Sequence, residues 1–487
     1  MTTRGRFLAR TALLIAIFFG LDKVVALLRI AIIARVFGIS ALLDAFNAAN
    51  NIPDLLFVLI SGGSLAMAFI PVLSGYFGQR GRDEGWRLFS HVANLAFVIT
   101  AVFSIIVAVF ALPLVKSRFG IAPGFDLAQQ HLVADLMRLN LIATLIFSVS
   151  GLVIGGLQAN QHFLLPALAP LMYNLGQIFG ALVLAPDHFP FYGLPIPTFG
   201  MGVHGLVYGV IIGAGLHLGV QLPALFRYGF RWTANISLRH PGMLRVLALM
   251  GPRVVGMGAF QVSELIRDNL ASRLGEGTVT ALTYGMFIMQ VPETIIATAI
   301  GTALLPTLAR LAARDDRVAL SRTLTDSLRI MVYLTLPAAV GGVFLARPAL
   351  RLVFEGGFFT AAGTDMVAFA AQMFLLGLVG HSLVEIAART SYAFGDAITP
   401  TVAAVLAMVL QVGVSIALLH YTGIGFGGLA LANAVAFTLQ AAGLLVVLYL
   451  QRRAFSLPVV LRGWGVAALG AGCLAAILAA TFPLAVQ

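Results

Sequence analysis

Charged and titratable side chains inside apolar stretches are the first chemistry this chain offers. Asp22, Lys23 and Arg29 fall in one such stretch, Glu264, Arg267 and Asp268 in a second, and His381, Glu385 and Arg389 in a third. A charge at the centre of a bilayer costs at least about 2.5–3.5 kcal/mol on insertion scales unless it is paired or hydrated, so each group needs a function or a partner. The Arg29 guanidinium has the rigid fork of donors that suits a diphosphate. Its alternative is an internal salt bridge with Asp22 or Asp44. Glu264, Arg267 and Asp268 stand at i, i+3 and i+4 and share one helix face. That spacing either presents Arg267 to an anion, leaving the carboxylates for proton or sodium coupling, or gives a cluster that neutralises itself. His381, Glu385 and Arg389 at i, i+4 and i+8 share a face too. They form either a titratable relay, because His changes charge near neutral pH, or a simple Glu385 to Arg389 pair. Asn47, Asn50, Asn51 and Pro53 add polar groups and a helix interruption in another apolar stretch, Asn51 being a candidate for the substrate cavity.

The elements that hold these groups follow from composition. Of 487 residues, 60% are hydrophobic and 10% charged, and the mean hydropathy is +0.98. No soluble core hides that much apolar surface, so the solvent is a bilayer, crossed by helices of about 20 apolar residues. β-barrel alternation is absent. The expected fold is an all-α polytopic membrane protein with about thirteen spans, at approximately 9–36, 44–76, 88–115, 130–157, 163–185, 202–225, 246–273, 279–311, 325–346, 364–392, 398–420, 425–450 and 459–482. The basic stretch from Met1 to Arg10 runs into apolar sequence without a small-residue cleavage site, so it reads as the start of the first span and not as a signal peptide. The single cysteine, Cys473, excludes a disulfide framework.

A repeat organises the spans. Ile52-Pro53-Asp54 followed by Phe69-Ile70-Pro71-Val72-Leu73 recurs as Val291-Pro292-Glu293 followed by Leu304-Leu305-Pro306-Thr307-Leu308. Two homologous six-helix lobes around a central cavity are therefore expected, at residues 7–230 and 240–452, with one extra C-terminal helix in 453–487. Such duplication is the usual trace of a transporter whose lobes rock against each other, and Pro53 and Pro292 become candidate hinges. The arginines at 4, 6, 10, 80, 82, 87, 227, 231, 239, 245, 310, 314, 317, 322, 452, 453 and 462 fall in loops on one side. Lys116, Arg118, Arg347 and Arg351 lie on the other. The positive-inside rule then places the amino terminus in the cytoplasm and the carboxy terminus outside. The net charge of +11 is thus a topology signal. It is dispersed over short loops, which argues against nucleic-acid binding. No Walker loop, metal cluster or nucleophile constellation is evident in the sequence, which argues against ATP hydrolysis and other enzyme chemistry and calls for no cofactor.

The segment Leu28-Arg29-Ile30-Ala31-Ile32-Ile33-Ala34-Arg35-Val36-Phe37-Gly38, with Asp44-Ala45-Phe46, Ile52-Pro53-Asp54-Leu55-Leu56 and Ala68-Phe69-Ile70-Pro71-Val72-Leu73, resembles the MurJ (MviN) family of lipid II flippases. Asn160, Phe163, Pro166-Ala167, Ala169-Pro170 with Asn174, Met250-Gly251-Pro252, Gly301-Thr302 and Tyr392-Ala393 with Gly395-Asp396 and Thr399-Pro400 extend the likeness over roughly residues 7–450. The resemblance implies a bacterial inner-membrane flippase of peptidoglycan biosynthesis. It would carry lipid II outward by alternating access, with membrane lipid and cell-wall synthesis proteins as partners and the membrane potential, H+ or Na+ as the drive. It also implies a cationic cavity holding Lys23 and Arg29. This chain departs from the pattern at Phe57 and Phe287, where arginines are usual, at Glu385, where lysine is common, and at Gly62, where an acidic residue is usual. It has thirteen expected spans against a usual fourteen. Three alternatives stay open: a flippase for another polyprenyl-diphosphate glycan, a cation-coupled multidrug exporter using Glu264 and Glu385, and a scaffold that only binds partners.

Overall fold

A computed structural model of the chain describes residues 3–61, 63–188 and 197–481; Gly62 lies outside them. Every regular element among the described residues is a helix. The apolar runs make the helices, and short polar side chains start several of them. Ser40 accepts from Leu43 N at 3.4 Å, Asp126 from Gln129 N at 2.7 Å, Asp316 from Ala319 N at 3.0 Å and Thr360 from Gly363 N at 3.3 Å. Each satisfies an N–H that the first helical turn leaves without a partner.

Nine helices among the described residues are long and apolar enough to cross a membrane. The count is up to eleven if Pro241–Gly251 with Val254–Ala271, and Ala361–Leu375 with Leu378–Ala393, each form one bent span. The nine do not include the first two expected spans. The first is the helix Thr3–Phe37, and the second is broken into Ala41–Ala49, Asn51–Leu56, Phe57–Ser61 and Gly63–Gln79. Large apolar side chains stand exposed along the spans, among them Ile105, Val109, Leu406, Leu450 and Leu469. Water rarely tolerates apolar patches beyond a few hundred Å2, whereas lipid welcomes them. The chain is a multi-pass helical membrane protein.

The chain divides into two compact units, Met1–Gln261 with Gly356–Phe359, and Val262–Glu355 with Thr360–Gln487. In the first, Phe69, Trp86, Phe89, Leu152 and Leu157 are buried in one core, where the Trp86 ring meets Phe77, Phe89 and Phe230 at 4.9, 5.6 and 5.4 Å. The second unit packs Leu324, Leu328, Met331, Ile386 and Leu444. The C-terminal helix Leu457–Thr481 joins that core, Trp464 Nε1 donating to the Leu328 carbonyl at 3.2 Å.

Both repeat prolines are followed at once by a wide turn. Pro53 precedes the π-helical segment Phe57–Ser61, and Pro292 precedes Thr294–Thr298. A proline removes an N–H and crowds the carbonyl one turn back, and π segments recur where a helix must absorb such a defect. The duplication seen in sequence is therefore also a duplication of local backbone geometry.

Candidate functional site

In the first unit, Asp22, Lys23 and Arg29 of helix Thr3–Phe37 separate into a tethered pair and a cation with no salt bridge among the described residues. Asp22 is buried and accepts from Asn174 Nδ2 at 2.8 Å, with Lys23 Nζ more distant at 3.9 Å and mostly exposed. Arg29, two turns further on, is half-buried, and no salt bridge forms at it among the described residues. Its Nε is buried without a hydrogen-bond partner. The internal bridge to Asp22 is not formed; that carboxylate accepts from Asn174 instead. Arg29 and Asp54 both lie within electrostatic reach of the Tyr173 hydroxyl. A guanidinium with unspent donors in a polar setting is ready to receive an oxyanion.

The other candidates of this unit have local roles. Asp44 is fully buried on helix Ala41–Ala49. Asn51 Nδ2 donates to the Ala48 carbonyl at 3.1 Å, bridging the break between Ala41–Ala49 and Asn51–Leu56. Pro53 is buried in the first turn of Asn51–Leu56 and, with Asp54, lines a cavity of about 250 Å3.

The second unit brings its charges together, and mostly neutralises them. Arg267 is buried and pairs with the Glu264 carboxylate, while its Nη2 and Nε donate to Asp268 Oδ1 at 2.9 and 3.1 Å. The helix spacing read from sequence is realised, but the guanidinium is held between two acidic side chains and is not a free cation. Arg389 pairs with Glu385, and its Nη1 donates to Thr302 Oγ1 at 3.0 Å. His381 has other partners. Its Nε2 meets Asn433 Oδ1 at 2.9 Å, Nδ1 is 3.7 Å from Glu293, and the ring stacks on Phe437 at 3.6 Å between centroids. Asn433 in turn donates to Gln411 Oε1 at 3.3 Å. Pro292, beside Glu293, sits in the last turn of helix Thr278–Glu293.

Sequence reasoning passed over Asn140, Ser150, Tyr173, His217 and Gln221 in the first unit and Gln411 and Asn433 in the second. His217 Nδ1 lies 2.6 Å from Ser150 Oγ, and Gln221 Nε2 donates to that hydroxyl at 3.0 Å. The available signal was a lone polar residue in an apolar helix, which must find a partner in lipid; charge drew attention from it.

Comparison with known proteins adds the family. The profile described as "Lipid II flippase MurJ" matches residues 33–485. The lipid II flippase MurJ of Burkholderia cenocepacia is 33% identical over 460 residues, covering 93% of this chain and 85% of that protein. The probable lipid II flippase MurJ of Vibrio cholerae is 25% identical over 457 residues, covering 92% and 84%. A solved structure of lipid II flippase MurJ in an inward closed conformation matches with a TM-score of 0.76 at 20% identity, covering 96% of this chain and 98% of that one. An inward-facing MATE multidrug transporter matches at 0.69 and 14% identity, over 92% and 95%. At those identities the structural likenesses describe the fold. By the profile match and the Burkholderia relative, this chain belongs to the lipid II flippase MurJ family.

Proposed function

We propose that this chain is a transporter, and not an enzyme, that carries lipid II from the cytoplasmic to the outer leaflet of the bacterial inner membrane by alternating access. The two lobes, residues 7–230 and 240–452, alternate in conformation during transport, and the helix in 453–487 is an addition. The amino terminus is cytoplasmic and the carboxy terminus external. Pro53 and Pro292, each leading into a π turn, serve as matched bend points. The reading is supported by family membership and carried by one observation: Arg29 keeps a buried, unspent Nε donor in an apolar span. Holding a diphosphate there offsets part of the cost of removing that anion from water. Moving an anion outward is favoured by an inside-negative potential by about 2.3 kcal/mol per charge per 100 mV, so the potential can drive transport. The Glu264–Arg267–Asp268 cluster and the His381–Glu293 contact supply titratable groups for H+ or Na+ coupling.

The test is complementation of a bacterium depleted of its own lipid II flippase, reading lipid II exposed on the outer surface. Rescue by the wild type that Arg29→Ala abolishes at equal membrane level is expected. Rescue undiminished in Arg29→Ala would remove the diphosphate role. A second reading, a flippase for another polyprenyl-diphosphate glycan, is favoured by the locked state of Arg267, which leaves fewer cations for the substrate than the resemblance implies. An inserted wild type that rescues a different lipid-linked glycan pathway and not this one would select it.

A further inference from the structure

The cavity beside Pro53 has a lining rich in acceptors and aromatic faces. It lies within the first unit, among the broken segment before Ser61 and the helices Leu127–Ala159, Leu164–Phe179 and Val203–Gly219. Its volume of about 250 Å3 far exceeds the ~10–15 Å3 that one water needs. Asp54 contributes a carboxylate, and among the described residues no Lys or Arg belongs to the lining.

Two asparagines set the polarity of the wall. Asn50 Nδ2 donates to the Phe46 carbonyl at 3.1 Å, which turns Asn50 Oδ1 toward Asn140. Asn140 Nδ2 donates to that oxygen at 2.8 Å. Flipping the Asn140 amide would set two oxygens against each other, so the network decides its orientation. Asn140 Oδ1 is then left buried and unpartnered, on a side chain only 2% exposed that lines the cavity. Native structures rarely leave such an acceptor unmet without a reason. Thr144 Oγ1 gives its proton to the Asn140 carbonyl at 3.2 Å and can offer the cavity only lone pairs.

Aromatic rings close the remainder. Phe147 has Phe57 at 5.4 Å, Tyr173 at 5.2 Å and His217 at 5.2 Å between centroids, and all four line the cavity. Ring faces attract a cation within ~6 Å of the centroid.

We propose that this cavity binds a primary ammonium group, with Asp54 as its counter-charge, the unmet Asn140 acceptor beside the site and the rings around Phe147 flanking the cation. A primary ammonium carries three donors and no acceptor, which matches this wall. A bare metal ion has no use for the aromatic rings. The ammonium belongs either to a small free amine or to the headgroup of the transported lipid. Only the second source rests on the flippase reading. In that case Arg29 and Asp54, both near Tyr173, address the opposite charges of one headgroup.

The experiment uses the full chain in lipid nanodiscs and saturation binding of radiolabelled n-pentylamine at pH 7.5. Saturable binding is expected, not displaced by n-pentanol, weakened at least about tenfold by Asp54→Asn and by Phe147→Leu, and kept by Asp54→Glu. Pentylamine carries no phosphate, so failure of the diphosphate reading leaves this result standing. No saturable binding to the folded wild type, or equal binding by folded Asp54→Asn and Phe147→Leu variants, would overturn the proposal. A transport arm compares a lipid-linked substrate bearing a free side-chain amine with its N-acetylated form. Slowing by Asp54→Asn of the free-amine form alone assigns the ammonium to the headgroup. Equal transport of both, with pentylamine binding intact, assigns it to a free amine.

Discussion

Gly180 and Gly209 meet backbone to backbone: a Cβ built on Gly180 would lie 2.6 Å from the Cα of Gly209, and one on Gly209 would lie 2.7 Å from the Cα of Gly180. One turn away, a Cβ on Gly176 would approach the Cα of Gly213 to 2.3 Å. Small residues one turn apart let two membrane helices approach this closely. Gly209→Ala and Gly180→Ala should each cost about 1–3 kcal/mol or more, because backbone cannot step aside as a side chain does. Gly215→Ala, with open space around its Cβ position, should leave the melting temperature in detergent unchanged. Equal melting of all three would show that the helices separate at little cost.

The Asp22 to Asn174 hydrogen bond, buried at 2.8 Å, ties helix Thr3–Phe37 to helix Leu164–Phe179. Asn174→Ala should destabilise the protein by about 1.5–3 kcal/mol, the range for hydrogen bonds to charged groups. Changing both residues to Leu should cost less than the sum of the single changes, since neither partner is then left unmet. Additive losses in chemical denaturation would argue that the bond contributes little.

Arg267 is held by Glu264 and Asp268, so removing it strands a buried and a half-buried acidic side chain. Arg267→Ala should cost about 3–5 kcal/mol and lower the yield of folded protein. Adding Glu264→Gln and Asp268→Asn to that variant should recover much of the loss. A single variant as stable as wild type would mean that water reaches the cluster.

Two histidines outside the spans give stability a pH dependence. At His162, burial and then Arg227 lower the pKa; at His240, burial, His91 and Arg80 lower it against an opposing pull from Glu84. The unfolded chain accepts these protons near the ordinary value of 6.5, and the folded state resists them. Their contribution is therefore intact above pH 6.5, declines as pH falls through the depressed values, and levels off below them. The double variant His162→Gln, His240→Gln should lose less melting temperature than wild type between pH 7 and pH 5. Parallel curves would exclude these groups.

Much of the fold was legible because it is written in local properties. Hydropathy marked the helices, and among the chain's 51 glycines are those of the close helix packing at Gly176, Gly180, Gly209 and Gly213. The spacing of Glu264, Arg267 and Asp268 correctly placed them on one face, since i to i+3 and i+4 neighbours are fixed by the helix itself. His381 shows the limit. Its partners Asn433 and Glu293 come from two other helices, and nothing in the i, i+4, i+8 pattern names them.

The amino-acid sequence by itself determined that this is a helical membrane protein, and which of its apolar stretches carry charge. Those are consequences of composition and of periods within single helices. Only the tertiary structure decided that Arg29 forms no salt bridge among the described residues while Arg267 is locked, and that Asn140 keeps an unpartnered buried oxygen beside a cavity. Each of those outcomes depends on which face one helix turns to its neighbour. With 3.6 residues per turn, a shift of one residue swings a side chain by about 100°, and that choice is made by packing among segments far apart in the chain.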